Sequence, residues 1–272
     1  MTRHLNKDTV VCMSLAARPS NFGTRFHNFL YDALDLDYLY KAFTTSDLAA
    51  AIGGVRALGI RGCAISMPFK EACIPMVDEL DPSAKAIDSV NTIVNTDGYL
   101  KAYNTDYIAI AKLLAEHQVP NQLTFALRGS GGMAKAVACA LKDAGFKTGI
   151  IVARNEAAGK QLAGLYGFDW AADMQGIQAD LLINVTPIGM VGSADEQTLA
   201  FTEDSIQQAQ VIFDVVALPA ETPLIRCAKA NGKKVITGAE VFAIQAVEQF
   251  VLYTGIRPSD ELFRQAAQYA RG

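Results

Sequence analysis

From residue 123 onward the chain alternates short apolar runs with helical stretches, and this alternation restricts the possible folds more than any other feature. Residues 123–127, 149–153, 179–184, 211–216 and 234–236 read as strands, with helices expected over 133–144 and 155–166. Continuous apolar strands separated by helices fit a parallel sheet covered on both faces, so a doubly wound α/β unit is expected. The first of these strands runs into Arg128-Gly129-Ser130-Gly131-Gly132-Met133-Ala134, a G-x-G-x-x-A turn that opens a helix. Gly129 permits the tight turn, Gly131 allows backbone N–H groups close to a pyrophosphate, and Ala134 lets helix and strand pack closely. The positive helix N-terminus favours the same anion. Glycine turns often only save space; the strand–turn–helix setting is what points to a dinucleotide.

Composition narrows the class. With 272 residues, 51% of them hydrophobic, the chain can bury a large core and divide into two domains. A net charge of −4 with scattered Lys and Arg gives no basic stripe for nucleic acid. The apolar stretches fall well short of the roughly 20 residues that span a bilayer, and the N-terminus lacks an apolar signal core. A soluble cytoplasmic protein acting on a small molecule, without nucleic acid or membrane as partner, is expected, as monomer or homodimer. Five widely spaced cysteines without a C-x-x-C, and three dispersed histidines, argue against a metal site.

The first half of the chain is less regular. Strands are expected over 9–15, 38–43 and 59–66, and helices over 22–33 and 70–80. A further helix starts at Ser46-Asp47-Leu48, and a hairpin turns at Asp97-Gly98. From Asp106 a helix runs to His117, and Pro120 closes it. Within this half Lys70 follows a strand, and two Asn-Thr steps, Asn91-Thr92 and Asn104-Thr105, lead to Asp106. An ammonium and a carboxylate among hydroxyls and carboxamides can hold a polyhydroxylated ligand and move a proton on it. Short polar residues at strand ends also simply cap turns.

Ser66-Met67-Pro68-Phe69-Lys70, Val90-Asn91-Thr92 and Asn104-Thr105-Asp106 resemble, in order and spacing, the substrate-site motifs of the shikimate dehydrogenase family, and most of all its shikimate dehydrogenase-like branch. The resemblance implies two domains with a cleft between them. An α/β substrate-binding domain would take residues 1–105, with the helices of 239–272 packed back on it. A Rossmann-type doubly wound dinucleotide-binding domain would take residues 106–238. It implies Lys70 and Asp106 as catalytic pair, with Ser66, Asn91, Thr105 and Gln245 on the substrate. The family's first loop carries two serines for the substrate carboxylate; here Ser20, Asn21 and Thr24 are the candidates, with Arg18 or Arg25 able to face an anion. Tyr107 replaces a glycine and is expected to narrow the pocket.

On the cofactor side the resemblance implies Gly129, Ser130, Gly131, Gly132, Met133, Ala134, Arg154, Asn184, Thr186, Val216 and Gly238. Arg154 matches the arginine that meets the 2′-phosphate of NADP, and a planar, permanent cation suits that phosphate. Ala153 and Asn155 depart from the family's Asn-Arg-Thr, Lys160 offers a second positive charge, and Glu156 sits where an acid favours NAD. NADP is therefore the expected cofactor, with NAD as the alternative. Ala217 stands where the family has a tyrosine, and Glu240 where it has a glycine.

The expected reaction is reversible oxidation of a ring hydroxyl of shikimate or a closely related cyclic hydroxy acid, in aromatic amino acid biosynthesis or quinate/shikimate metabolism. The cofactor carries the electronic step, so the protein must orient the carbinol and move one proton. Lys70 must be deprotonated to act as base, which calls for a partly dehydrated setting. A nicotinamide-binding sensor with weak or lost chemistry is the competing class, favoured by Ala217, Glu240 and the rewritten first loop. A folate-type methylene dehydrogenase fits Lys70 but not the Asn-Thr-Asp step.

Overall fold

The structure, a computed structural model, describes residues 5–271. Met1–His4, on which part of the reading of the N-terminus rests, and Gly272 lie outside the described residues. The chain divides into two compact units, Met1–Thr105 with Ala243–Gly272, and Asp106–Phe242.

The first unit is built on a mixed six-stranded sheet. Its strands are β1 (Val10–Leu15), β2 (Tyr38–Phe43), β3 (Gly62–Ile65), β4 (Glu79–Leu80), β5 (Thr92–Thr96) and β6 (Tyr99–Tyr103), in the order β2-β1-β3-β5-β6-β4. β1 pairs in parallel with β2 and β3, while β5 runs antiparallel to β3 and β6. Helices α1 (Phe22–Ala33) and α2 (Leu48–Ala57) make the parallel crossovers. Asp47 caps α2, its carboxylate accepting the Ala50 N–H at 2.9 Å. Asp97 and Gly98 turn the β5–β6 hairpin at positive φ, 52° and 88°.

The helix expected over 70–80 does not form. α3 (Phe69–Ala72) stops after one turn, and a 3-10 turn covers Ile74–Met76, where Pro75 has no N–H to continue the ladder. The chain then joins the sheet, Asp78 N–H bonding Leu100 O at 2.9 Å and Asp81 N–H bonding Ala102 O at 2.8 Å. Asp81 caps the short α4 (Pro82–Lys85).

The second unit holds six parallel strands, β7 (Phe125–Arg128), β8 (Gly149–Val152), β9 (Asp169–Ala171), β10 (Leu181–Asn184), β11 (Val211–Asp214) and β12 (Lys234–Thr237). Their order is β9-β8-β7-β10-β11-β12, so strand succession reverses at β7, where open α/β sheets bind ligands. The doubly wound expectation holds. Helices α5 (Thr105–Glu116), α6 (Gly132–Asp143), α7 (Glu156–Tyr166), α8 (Glu203–Gln208) and α9 (Pro223–Ala230) complete it, with Thr105 itself assigned to the first unit. Ala126, Val152, Leu182 and Ile212 form one core face with Phe201, Ile206 and Leu224.

Helix α10 (Gly238–Thr254) and helix α11 (Asp260–Arg271) end the chain. Phe250 and Tyr253 of α10, with Ala266, Ala267 and Ala270 of α11, join Phe26, Leu30, Tyr31 and Tyr40 in one buried cluster of the first unit. At Gly62 a Cβ would lie 2.2 Å from the Tyr253 ring, so β3 can pass under α10 only as glycine. No helix among the described residues is long and apolar enough to cross a membrane, and no group of three or more His, Cys, Asp or Glu among them could hold a metal ion. Four of the five cysteines are buried and all are free thiols.

Candidate active site

In the first unit the polar residues converge on Asn91, which is buried immediately before β5. Its side-chain oxygen accepts the Thr105 N–H at 2.8 Å and the Thr92 hydroxyl at 2.9 Å. Its amide donates to the Thr105 hydroxyl at 3.0 Å. The carboxamide thus saturates the chain just before Asp106, as a buried polar group must. One residue earlier, Val90 N–H donates to the Lys70 carbonyl at 2.9 Å, and Ile65 N–H bonds the Asn91 carbonyl at 2.8 Å. Lys70, half-buried in α3, is thereby pinned by its backbone to the segment that carries Asn91 into β5. Asn104 turns elsewhere, its amide donating to Ser89 O at 2.9 Å and closing the loop above α4.

Gln249 of α10 completes this cluster, its amide donating to the Thr92 hydroxyl at 3.0 Å. Sequence reasoning singles out Gln245, which is half-buried one turn earlier on the same helix. The i, i+4 spacing of Gln245 and Gln249 is the signal that both lie on one face. Ser66 is exposed, and its N–H closes on Leu15 O at 2.9 Å.

The first-loop candidates lie apart from this cluster in bonding. Ser20 and Asn21 are exposed, and Asn21 precedes α1 without a side-chain cap. Thr24 lines a surface groove with Asn28, Phe29 and Tyr269. Among the described residues no hydrogen bond joins these three side chains to Lys70, Asn91 or Thr105. Asn28 ties α1 to β2, bonding both N–H and C=O of Tyr40 at 3.1 and 2.8 Å. His27 is buried and stacked on Tyr40, ring centroids 4.4 Å apart, and burial lowers its pKa to about 3. It is a core residue that stays neutral.

In the second unit the loop after β7 has the geometry its sequence predicts. Gly129 adopts φ +129°, and a Cβ there would meet the Val185 side chain at 2.7 Å. Gly131 and Gly132 face open space at the start of α6, and Ala134 is fully buried against the sheet. Ser130 and Met133 are half-buried beside them. The loop therefore offers a bare helix N-terminus into which a diphosphate fits.

Arg154 is exposed just beyond β8, and Asn155 caps α7 by accepting the Ala158 N–H at 3.1 Å. Glu156 and Lys160 pair with each other at 2.6 Å, one turn apart. Across the sheet Asn184, Thr186, Asp214 and Thr222 form one network. Asn184 accepts the Thr186 hydroxyl at 2.6 Å and donates to Asp214 at 3.0 Å, and Thr222 donates to Asp214 at 2.5 Å. Burial raises the Asp214 pKa to about 6, and the hydrogen bonds from Thr222, Val216 N–H and Asn184 oppose that rise. Asn184 and Thr186 thus hold the ends of β10 and β11 in place. Val216 and Gly238 are close neighbours, since a Cβ on Gly238 would lie 2.3 Å from the Val216 carbonyl.

Two departures acquire structural reasons here. Glu240 forms a capping box with Thr237, accepting its N–H at 2.8 Å, and also pairs with His117 at 2.9 Å. Tyr107 donates its hydroxyl to Asp143 of α6 at 2.7 Å, so it braces α5 on α6.

An all-parallel sheet in this order, opened by such a loop, defines a Rossmann-type dinucleotide-binding protein. The family model described as the shikimate dehydrogenase substrate binding domain matches residues 22–93. The chain belongs to the shikimate dehydrogenase family: it is 59% identical over 267 residues to the shikimate dehydrogenase-like protein of Haemophilus influenzae, covering 98% of each. A solved structure of a shikimate 5-dehydrogenase-like protein, 58% identical, superposes with a TM-score of 0.97 over 99% of this chain and 100% of that one. The shikimate 5-dehydrogenase of Thermus thermophilus, solved with NADP(H) and shikimate, is 28% identical, with a TM-score of 0.85 over 96% and 99% of the two chains.

Proposed function

We propose that the protein catalyses the reversible, NADP-linked oxidation of a ring hydroxyl of shikimate or a closely related cyclic hydroxy acid. The first unit holds the substrate and the second the dinucleotide. The observation that carries this reading is the Asn91 carboxamide, which fixes Thr105 and stands next to Val90, bonded to the Lys70 backbone. That arrangement keeps a lysine and the residue beside Asp106 in register with hydroxyl and amide donors suited to a polyol. When bound, the dinucleotide supplies a two-electron acceptor for the carbinol carbon. Lys70 takes the hydroxyl proton in oxidation and returns it in reduction; Asp106 orients the lysine and accepts a neighbouring ring hydroxyl. Gln245 and Gln249 hold further hydroxyls from α10. Arg154 favours NADP over NAD, because a planar, permanent cation suits the 2′-phosphate.

The test is absorbance of the reduced nicotinamide with shikimate, quinate and related cyclic acids, under each cofactor. The rewritten first loop leads us to expect slow turnover of shikimate, with kcat/KM below the usual 10⁴–10⁸ M⁻¹s⁻¹, roughly, and faster turnover of a related acid. Tight dinucleotide binding with no turnover of any such acid would replace this reading with the nicotinamide sensor.

A further inference from the structure

Arg128 is the residue before the glycine loop and the last of β7. Its backbone is fixed between two strands, opposite Val152 of β8 and Asn184 of β10, and its carbonyl accepts the Val185 N–H at 3.0 Å. The side chain is half-buried, and one Nη donates to the Ala200 carbonyl. A guanidinium has five N–H donors, so most of this fork remains open. Among the described residues, no carboxylate lies within ion-pair distance of either Arg128 or Arg154. Burial pulls the Arg128 pKa down, and the positive charge of Arg154 adds to that, against a weaker pull from Asp195. Two neighbouring cations, one half-buried and neither in ion-pair contact with an acid, raise the energy of the empty fold. An anion between them removes that cost.

Resting on the NADP reading above, we propose that Arg128 and Arg154 together receive a phosphate monoester, the ribose 2′-phosphate of the dinucleotide, with Arg128 as the second, half-buried reader. Arg154 stands two residues beyond Val152, the register partner of Arg128, so both arginines lie at the C-terminal ends of β7 and β8. Second-strand ends in such sheets read the ribose, while the pyrophosphate goes to the helix N-terminus. A monoester carries nearly two negative charges at neutral pH, matching two guanidinium groups. Lys160, the other cation nearby in sequence, is held on Glu156.

The experiment measures dissociation constants of NADPH, NADH, adenosine 2′-phosphate and inorganic phosphate for the full chain and its Arg128→Met, Arg128→Lys and Arg154→Ala variants. Trp170, the one tryptophan of the chain, donates to the carbonyl of Ala153 beside Arg154 and is a local fluorescence reporter. Arg128→Met should weaken NADPH and adenosine 2′-phosphate by about 10–100-fold, the worth of a charge-assisted hydrogen bond, and NADH by less than about threefold. Arg128→Lys keeps the charge but not the planar fork and should fall between, which preserves the test should the methionine variant fold poorly. A parent selective for NADPH whose Arg128 variants keep that selectivity overturns this proposal alone. Equal losses for NADPH and NADH give Arg128 a merely structural role and also overturn it. A parent that binds NADPH and NADH equally overturns the cofactor reading as well. Competition by inorganic phosphate as strong as by adenosine 2′-phosphate would mark a free-phosphate site instead.

Discussion

The amide of Gln249 reaches the hydroxyl of Thr92 at 3.0 Å, and Thr92 in turn donates to Asn91 at 2.9 Å. A helix made late in the chain therefore ends a relay that begins beside Asp106. Replacing Gln249 with alanine removes one end of the relay while Asn91 still holds Thr105. We expect KM for the cyclic acid to rise by about tenfold, the worth of one buried hydrogen bond, with dinucleotide affinity unchanged. An unchanged KM would show that Gln249 only braces β5.

Lys70→Ala should lower kcat by about 10²–10⁴-fold, the usual contribution of one acid/base group, without altering the dissociation constant for NADPH. Backbone bonds hold Lys70 in place, so the truncation leaves the Val90 contact intact. More than a tenth of the parent kcat surviving in this variant would remove Lys70 from the chemistry.

Gly129→Ala combines a φ of +129° with a Cβ placed 2.7 Å from Val185. The loop must shift, at about 1–3 kcal/mol for the backbone alone. Dinucleotide binding should fall well before substrate binding does. Retention of parental NADPH affinity, read by Trp170 fluorescence, would mean the loop accommodates the methyl without moving.

Two buried groups set opposite pH trends. His27 has its pKa lowered from 6.5 to about 3, so the unfolded chain binds the proton first. Its contribution is intact above pH 6.5 and is lost as pH falls toward 3. Asp214 has its pKa raised from 3.8 to about 6, so the folded chain binds the proton first; its contribution is intact below 3.8 and is lost as pH rises through 6. Relative to the parent, His27→Phe should gain stability on acidification below 6.5, and Asp214→Asn should lose it between 6 and 3.8. Each slope is at most about 1.4 kcal/mol per pH unit. Urea midpoints at pH 4, 5, 6 and 7 check both signs, and parallel curves for variant and parent would rule out the titration.

Much of this arrangement is legible in the sequence because local chemistry and tertiary packing agree there. The alternation after residue 123 and the glycine loop are local signals, and the unit they specify is the one observed. The stretch over 70–80 misleads because its apolar residues serve a core contact rather than a helix face, and Pro75 inside it is the contrary signal. β9 escapes the pattern because a three-residue edge strand has almost no periodicity. α9 carries a readable start, Thr222 at the cap and Pro223 in the first turn. Gln249 and Arg128 are illegible for another reason: their partners, Thr92 and Ala200, are 157 and 72 residues away.

The return of α10 and α11 to the first unit has a bearing on biosynthesis. The second unit is an insertion, complete in sequence at Phe242, whereas the first waits for residues 243–270 to bring Phe250, Tyr253 and Ala266 against Phe26 and Tyr31. Chains fold from the N-terminus as they are made, at about 5–20 residues per second. In this protein that order is inverted for one unit: the earliest segment emerges with the apolar faces of α1 and β2 uncovered and must keep them so until the last helices arrive. Ending the chain at Phe242 would thus strip the oldest part of the molecule, not the newest, of its core.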